Sequence, residues 1–431
     1  RGGEIEKRKA FRVRYALPAG TFGYYVLRSA HYVFGSAASP AGLPSGVTYQ
    51  RLQHPLGYAM TRVVDVTPFA GKLFVLATFS DGKTQAFYDG TIQTQFYSGT
   101  YAALTPRACI TMKSKVIVAA DSNLVFSKLL DASDFNPAST GAGAIDVSTD
   151  QTGLEEILAL SKYQEQLAVY ARRLAQTWTI DVDLAQCAGS EPLENTGILA
   201  PKSAVAFGGN DSFILNDTGV RSIRSRATTN SPGIYDIGTP IDTIVTAAMR
   251  SLGDAVSSRA QGVIEPVDGR YILAIGSTAY VFSYFPSSQI SAWSTYDMGG
   301  EVVGWGTIGP RLFCRITDSI YEYGATDLGE YDTTPVEVVL PYLSADKPAH
   351  EKEVMGVDAS VEGVWRMEMG LNMNAPDTRD AIANLTGPTF ASLRFPAVGR
   401  GTHFGVRLTH QADGVARLGN LLIHYKQHGS D

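Results

Sequence analysis

The sequence holds many titratable side chains, but few at spacings that make a reacting centre. Cleaving a glycosidic bond takes two carboxylates facing each other across it. Asp65, Asp146, Asp181, Asp236, Asp297, Asp318 and Glu322 are the acids expected to face a channel or its rim, and no spacing pairs any two of them. His424 and His428 stand four apart, which converges on a metal only along a helix. Here they fall in a strand and a polar tail. Gly141-Ala-Gly143 lacks the third glycine and the helix of a dinucleotide site. No phosphate loop or nucleophile elbow occurs. Cys109, Cys187 and Cys314 lie 78 and 127 residues apart, too far for a local zinc or redox pair. Three free, buried thiols in a chain made in a reducing cytosol are expected. No enzyme activity, metal or cofactor is expected.

Charge narrows the partners. The 431 residues carry a net charge of −6. Residues 1–60 hold eight basic groups against two acidic ones, a balance of +6, so the remaining 371 residues sum to −12. An acidic body does not suit a sequence reader of nucleic acid, which needs a basic face. The basic start, with Arg1, Lys7, Arg8, Lys9, Arg12 and Arg14, reads either as a solvated strand face or as an arm that docks on a neighbour. No stretch approaches the ~20 uninterrupted apolar residues of a membrane-spanning helix.

The elements that must position these residues are short strands. Gly is high at 43, with 21 Tyr and 18 Phe, which favours strands joined by tight turns. A unit recurs: an apolar strand, a turn, then a second strand. Its first-strand centres are Phe74, Ile117, Ala168, Ile214, Ile272 and Phe313, in steps of 43, 51, 46, 58 and 41 residues. A seventh copy reads Phe22–Leu27 and His31–Phe34, with Phe11–Ala16 as a preceding strand. Each copy has room for a strand before it and one after it, as at 92–97, 144–147 and 292–296. Four strands at intervals in the forties predict a propeller blade. The expected fold is all-β: a six- or seven-bladed β-propeller followed by a small β-sandwich. The predicted domains are a basic arm at 1–9, the propeller at 10–325, a linker at 326–335 and the sandwich at 336–431. Sandwich strands are predicted at 336–340, 352–361, 364–369, 390–394, 404–409 and 420–426, and short helices at 242–250 and 377–384. Ser80-Asp-Gly-Lys-Thr84 lacks the spacing and closing Trp of a sialidase Asp box and reads as a hairpin turn.

Residues 124–180 carry a family likeness. They run Val125-Phe-Ser-Lys128, Asp131-Ala-Ser-Asp-Phe-Asn-Pro137 and Ala144-Ile-Asp-Val-Ser148. Glu155-Glu-Ile-Leu-Ala-Leu160, Gln166-Leu-Ala-Val-Tyr170 and Thr177-Trp-Thr-Ile180 follow. This resembles the tail nozzle or hub proteins of short-tailed bacteriophages, the family of tail tubular protein B and the packaged-DNA stabilisation hubs. Gly233-Ile-Tyr-Asp-Ile-Gly-Thr-Pro-Ile-Asp242, Ala292-Trp-Ser-Thr-Tyr296 and the opening 1–9 are similar as well. The resemblance covers about residues 1–325, as a pattern of blades and loops. It implies a homohexameric ring at the end of the virion tail, made in the host cytoplasm, that continues the DNA channel and retains the genome. The implied partners are a tail adaptor or tail-tube protein and a fibre, spike or plug. Double-stranded DNA would pass without sequence-specific contact, and an acidic lumen would let it slide. The competing expectation is a glycan-binding or glycan-cleaving propeller.

Overall fold

The computed structural model describes residues 5–150, 155–190, 192–208, 211–224, 236–285, 290–390, 399–410 and 412–428. The chain is all-β and divides into two compact units. One holds Val13–Tyr284 and Ser291–Glu322; the other holds Arg1–Arg12, Phe285–Ile290 and Tyr323–Asp431.

Two strands open the described chain, β1 (Ile5–Glu6) and β2 (Phe11–Ala16), and both pair with segments far downstream. Seven sheets then follow in chain order. The first is β3 (Phe22–Leu27), β4 (Ala30–Gly35) and β5 (Val47–Arg51). The second is β6 (Met60–Phe69), β7 (Lys72–Phe79), β8 (Thr84–Tyr88) and β9 (Thr91–Ile92). The third is β10 (Pro106–Met112), β11 (Lys115–Ala120), β12 (Asn123–Phe126) and β13 (Gly143–Asp146). The fourth is β14 (Ala159–Tyr163), β15 (Gln166–Tyr170), β16 (Leu174–Thr179), β17 (Ala188–Gly189) and β18 (Leu193–Glu194). The fifth is β19 (Val205–Phe207), β20 (Asp211–Asn216) and β21 (Gly219–Ser222). The sixth is β22 (Ala260–Ile264), β23 (Tyr271–Ile275), β24 (Thr278–Phe285) and β25 (Ile290–Asp297). The seventh is β26 (Val302–Ile308), β27 (Arg311–Ile316) and β28 (Ser319–Tyr323), and β2 joins it as the outer strand beside β28. Phe11–Ala16 therefore closes the last sheet instead of opening the first.

The first strands touch in cyclic order: β3 with β6, β6 with β10, β10 with β14, β14 with β19, β19 with β22, β22 with β26, and β26 with β3. The apolar cores lie between neighbouring sheets. Leu76 and Phe74 pack with Val116 and Val118 between the second and third. Ile117 and Phe126 pack with Leu167 and Trp178 between the third and fourth. Tyr24 and Val33 pack with Phe313 and Ile320 between the first and seventh. Second strands are thus covered on both faces. All six residues of β11 are buried, which explains their continuous apolar runs.

Two-residue turns join the first and second strands. Both central residues have positive φ at Arg28–Ser29, Ala70–Gly71, Lys113–Ser114 and Gln164–Glu165. Such turns match the strand twist. Only one of these eight positions is glycine, so tertiary packing sustains the strained non-glycine conformers.

Among the described residues three α-helices interrupt the strands, α1 (Thr94–Tyr97), α2 (Asp242–Leu252) and α3 (Val256–Arg259). The second is the helix expected at 242–250. The first replaces most of the strand expected over 92–97, of which only Ile92 pairs with β8, opposite Phe87.

The other unit contains two four-stranded sheets. Its strands are β29 (Val336–Val339), β30 (Glu351–Glu362), β31 (Trp365–Gly370), β32 (Asp380–Leu385), β33 (Gly399–Gly401), β34 (Gly405–His410) and β35 (Arg417–His428). One sheet has the order β1-β35-β30-β33 and the other β29-β34-β31-β32. They share one core, with Val357 and Leu418 from the first packed among Trp365, Met367 and Leu408 of the second. The helix expected at 377–384 is instead β32, paired with β31. The strand expected at 390–394 lies largely outside the described residues.

Residues 5–9, expected as an arm, are built into this unit. Ile5 and Glu6 pair with Leu418 and Arg417, and the Lys7 amide donates to the Ala416 carbonyl at 2.8 Å.

Candidate functional site

The ring of first strands encloses a cavity of about 220 Å³. It shares Val63, Val64, Arg107, Pro201, Lys202 and Gln261 with a wider mouth of about 700 Å³. The strand order explains why polar residues meet here. Each first strand gives one face to the cavity, so Tyr24, Asp65, Gln261 and Trp305 arrive from four sheets far apart in sequence. Close approach needs small residues: a Cβ added at Gly304 would stand 3.0 Å from the Tyr24 Cβ.

Asp65 is the acid of the inner cavity. The Val66 amide donates to its Oδ1 at 2.9 Å and the Cys109 amide to its Oδ2 at 2.8 Å. Burial raises its pKa, while these amides and the nearby Lys202 charge pull it down. Lys202 sits in a 3-10 turn, Pro201–Ser203. Its Nζ finds the Val63 carbonyl at 3.5 Å. Burial holds its pKa below the usual lysine range; Asp65 raises it and Arg62 lowers it. Burial also pushes the Tyr25 phenol up to about 12, aided by the Asp65 charge. Gln261 Nε2 donates to the Val303 carbonyl at 2.6 Å, and Trp305 Nε1 donates to the Gln261 carbonyl at 3.3 Å, tying the sixth and seventh sheets together. Behind the wall, the Tyr24 hydroxyl and His31 Nδ1 are 2.7 Å apart.

Of the seven acids singled out in sequence, Asp65 alone lines this inner cavity among the described residues. Asp146, Asp181 and Asp297 each accept a backbone amide two residues on, at 2.9–3.0 Å, as turn residues do. Asp318 is an exposed turn residue 3.4 Å from Arg315. Asp236 is buried and accepts from the Ser222 and Ile237 amides at 3.0 and 2.8 Å. Glu322 is buried against Arg311, with Arg14 at 4.0 Å.

The basic residues also have local partners. Lys7 is buried and donates to the Ala412 carbonyl at 3.1 Å. Arg8 pairs with Asp332 at 2.6 Å and Arg12 with Glu330 at 2.7 Å. Lys9 bridges to Tyr331, Arg14 lies over the Tyr15 ring, and Arg1 lies outside the described residues. His424 and His428 both belong to β35 and bond separate carboxylates, Asp358 and Glu353, each at 2.8 Å. Among the described residues no three His, Cys, Asp or Glu side chains gather around a metal position. Sequence reasoning missed Arg62, Lys202, Gln261 and Trp305, which are single residues on separate strands or turns.

No family model matches the chain, and no curated protein matches it in sequence. Among solved structures it is similar to BamB from Moraxella catarrhalis, at 10% identity and TM-score 0.40, over 73% of this chain and 97% of that one. It is similar to PorZ from Porphyromonas gingivalis at 10% identity and TM-score 0.46, over 95% of this chain and 60% of that one. The Dos1 propeller gives 10% identity and TM-score 0.39, over 74% and 95% of the two chains. These neighbours are propeller-like, and at this distance they carry nothing about activity or partner.

Proposed function

We propose that the chain is a tail nozzle or hub protein of a short-tailed bacteriophage. We read the seven sheets as seven blades and the two sheets of the other unit as a β-sandwich. The protein forms a homohexameric ring at the end of the virion tail, after synthesis in the host cytoplasm. It docks on a tail adaptor or tail-tube protein, carries a fibre, spike or plug, and passes double-stranded DNA without reading it.

The observation that carries this reading is the correspondence between the nozzle-like segment and the fold. Residues 124–180 supply the outer strands of the third sheet and the first three strands of the fourth. Asp131 and Asp134 in its loop accept amides two residues on, at 2.9 Å each, which fixes the turns of the loop. The test is assembly. The full chain mixed with its tail adaptor should give six-fold rings by electron microscopy. A protein that stays monomeric with the adaptor at micromolar concentration would sink the reading.

Tyr24, Tyr25 and Trp305 beside Asp65 favour a second reading, glycan binding, since sugar sites combine aromatic faces with carboxylates. Cleavage requires a second carboxylate facing the first. The acid in the mouth, Glu301, is held by Arg259 at 2.8 Å. A glycan array with no hits would remove this alternative.

A further inference from the structure

The mouth of the central cavity collects mostly positive charge. Its charged lining is Arg62, Arg107, Lys202, Arg315 and Glu301. Three of these five are satisfied locally. Arg107 pairs with Glu156 at 2.6 Å and Glu301 with Arg259 at 2.8 Å. Arg315 donates to the Thr21, Gly23 and Thr317 carbonyls at 2.8–2.9 Å, so its guanidinium holds the first and seventh sheets together. Arg62 and Lys202 have no carboxylate within ion-pair distance among the described residues.

Compensation from below reaches only Lys202, and it comes from the Asp65 charge without an ion pair among the described residues. The carboxylate oxygens of Asp65 are both engaged by backbone amides. The ammonium of Lys202 has three donors, and its one acceptor among the described residues stands at 3.5 Å, the outer limit of a hydrogen bond. Arg62 is exposed, so its guanidinium fork is free to turn toward the cavity. Burial is what lowers the proton affinity of Lys202; the Asp65 charge opposes it, and repulsion from Arg62 adds the smallest push downward. An anion between them would remove that repulsion and satisfy donors that now lack partners. A mouth of about 700 Å³ has the size of ordinary small-ligand pockets.

We propose that this mouth is an oxyanion site, in which Arg62 and Lys202 together receive a carboxylate or phosphate group. Arg62 gives the two-pronged contact and Lys202 a point charge beneath it. The oxyanion belongs either to an acidic sugar or other carboxylic acid, or to a phosphate. The test separates these sources. Inorganic phosphate and glucuronate are titrated in turn into the full chain at neutral pH and low ionic strength, with binding read by calorimetry.

At least one probe should saturate with a dissociation constant on the order of 1 mM. Saturation by phosphate alone names a phosphate ligand, and saturation by glucuronate alone names a carboxylate. R62Q should weaken binding about fivefold or more, because a charge-assisted pair is lost. K202M, which keeps the stem, should do the same. Arg62 is exposed, so R62Q remains readable if K202M fails to fold. Failure of both probes to saturate, or wild-type affinity in R62Q, overturns the proposal.

Discussion

Arg221 and Asp242 meet as two parallel prongs: Nη1 donates to Oδ1 and Nη2 to Oδ2, both at 2.9 Å. The same guanidinium donates to the Thr218 and Val220 carbonyls at 2.8 Å. One side chain thus fastens the β20–β21 turn, strand β21 and the first turn of α2. The pair is mostly out of water, with Arg221 at 7% and Asp242 at 26% side-chain exposure. D242A should therefore cost roughly 2–3 kcal/mol by leaving the guanidinium charge uncompensated. Denaturant unfolding measures this. The double variant R221M/D242L should recover part of the loss, since no stranded charge remains.

His31 makes stability depend on pH. Burial, with Arg14 and Arg311 nearby, lowers its pKa to about 4. The folded state keeps the ring neutral, while the unfolded chain takes up a proton below about 6.5. The His31 contribution is therefore whole above about pH 6.5 and is lost as pH falls toward 4. Thermal melts across that window should show the decline, and H31Q should flatten it.

The three cysteines should react unequally. Cys109 and Cys314 are buried and Cys187 is intermediate, so the expectation of three buried thiols fails at one position. Burial raises the pKa of both interior thiols, and at Cys109 the Asp65 charge adds to it. Iodoacetamide on native protein should label Cys187 alone, with all three labelled in denaturant. Mass spectrometry reads the sites.

Removing residues 1–9 should weaken the two-sheet unit. It strips β1 from the edge of β35, takes Glu6 from Arg417, 3.0 Å away, and leaves Asp332 without Arg8. The unit of Val13–Tyr284 and Ser291–Glu322 keeps its own cores and should melt as before. A lowered transition with faster proteolysis within residues 323–431 is the expected result. An unchanged melt would mean that β1 contributes nothing.

Much of the sheet order was legible in sequence because second strands are buried on both faces. Phe74, Ile117, Ala168, Ile214, Ile272 and Phe313 all fall in such strands. Val26 does not. In the seventh copy it lies in Phe22–Leu27, which is β3, a first strand, since Phe11–Ala16 pairs with β28 and not with β3. Pairing between β2 and β28 leaves no local trace, since neither strand's pattern names its partner. At 377–384, helix-favouring alanines gave way to pairing with β31. The acids mostly proved to be turn residues, as their neighbours Ser148, Asp183 and Gly299 allow. The cavity was not legible. Arg62 and Lys202 are isolated in sequence and meet only once the ring has closed. Buried Lys115 and Lys352, capped by backbone carbonyls at 2.6–3.0 Å, were equally hidden.

The outer strand of the seventh sheet is made before every other strand of the seven sheets and pairs only when the last of them is complete. Between Ala16 and Ser319 lie roughly 300 residues, which takes about 15–60 s of synthesis at ordinary rates. Through that time β2 has no mate, and the growing row of sheets ends in an open flank. Early sheets can condense on one another as they emerge, but closure waits for the final hairpin. A nascent chain of this design carries bare strand edges for most of its birth. It is therefore a natural client for holding chaperones. Moving residues 11–16 by circular permutation to follow β28 would turn the slowest contact in the ring into a local one.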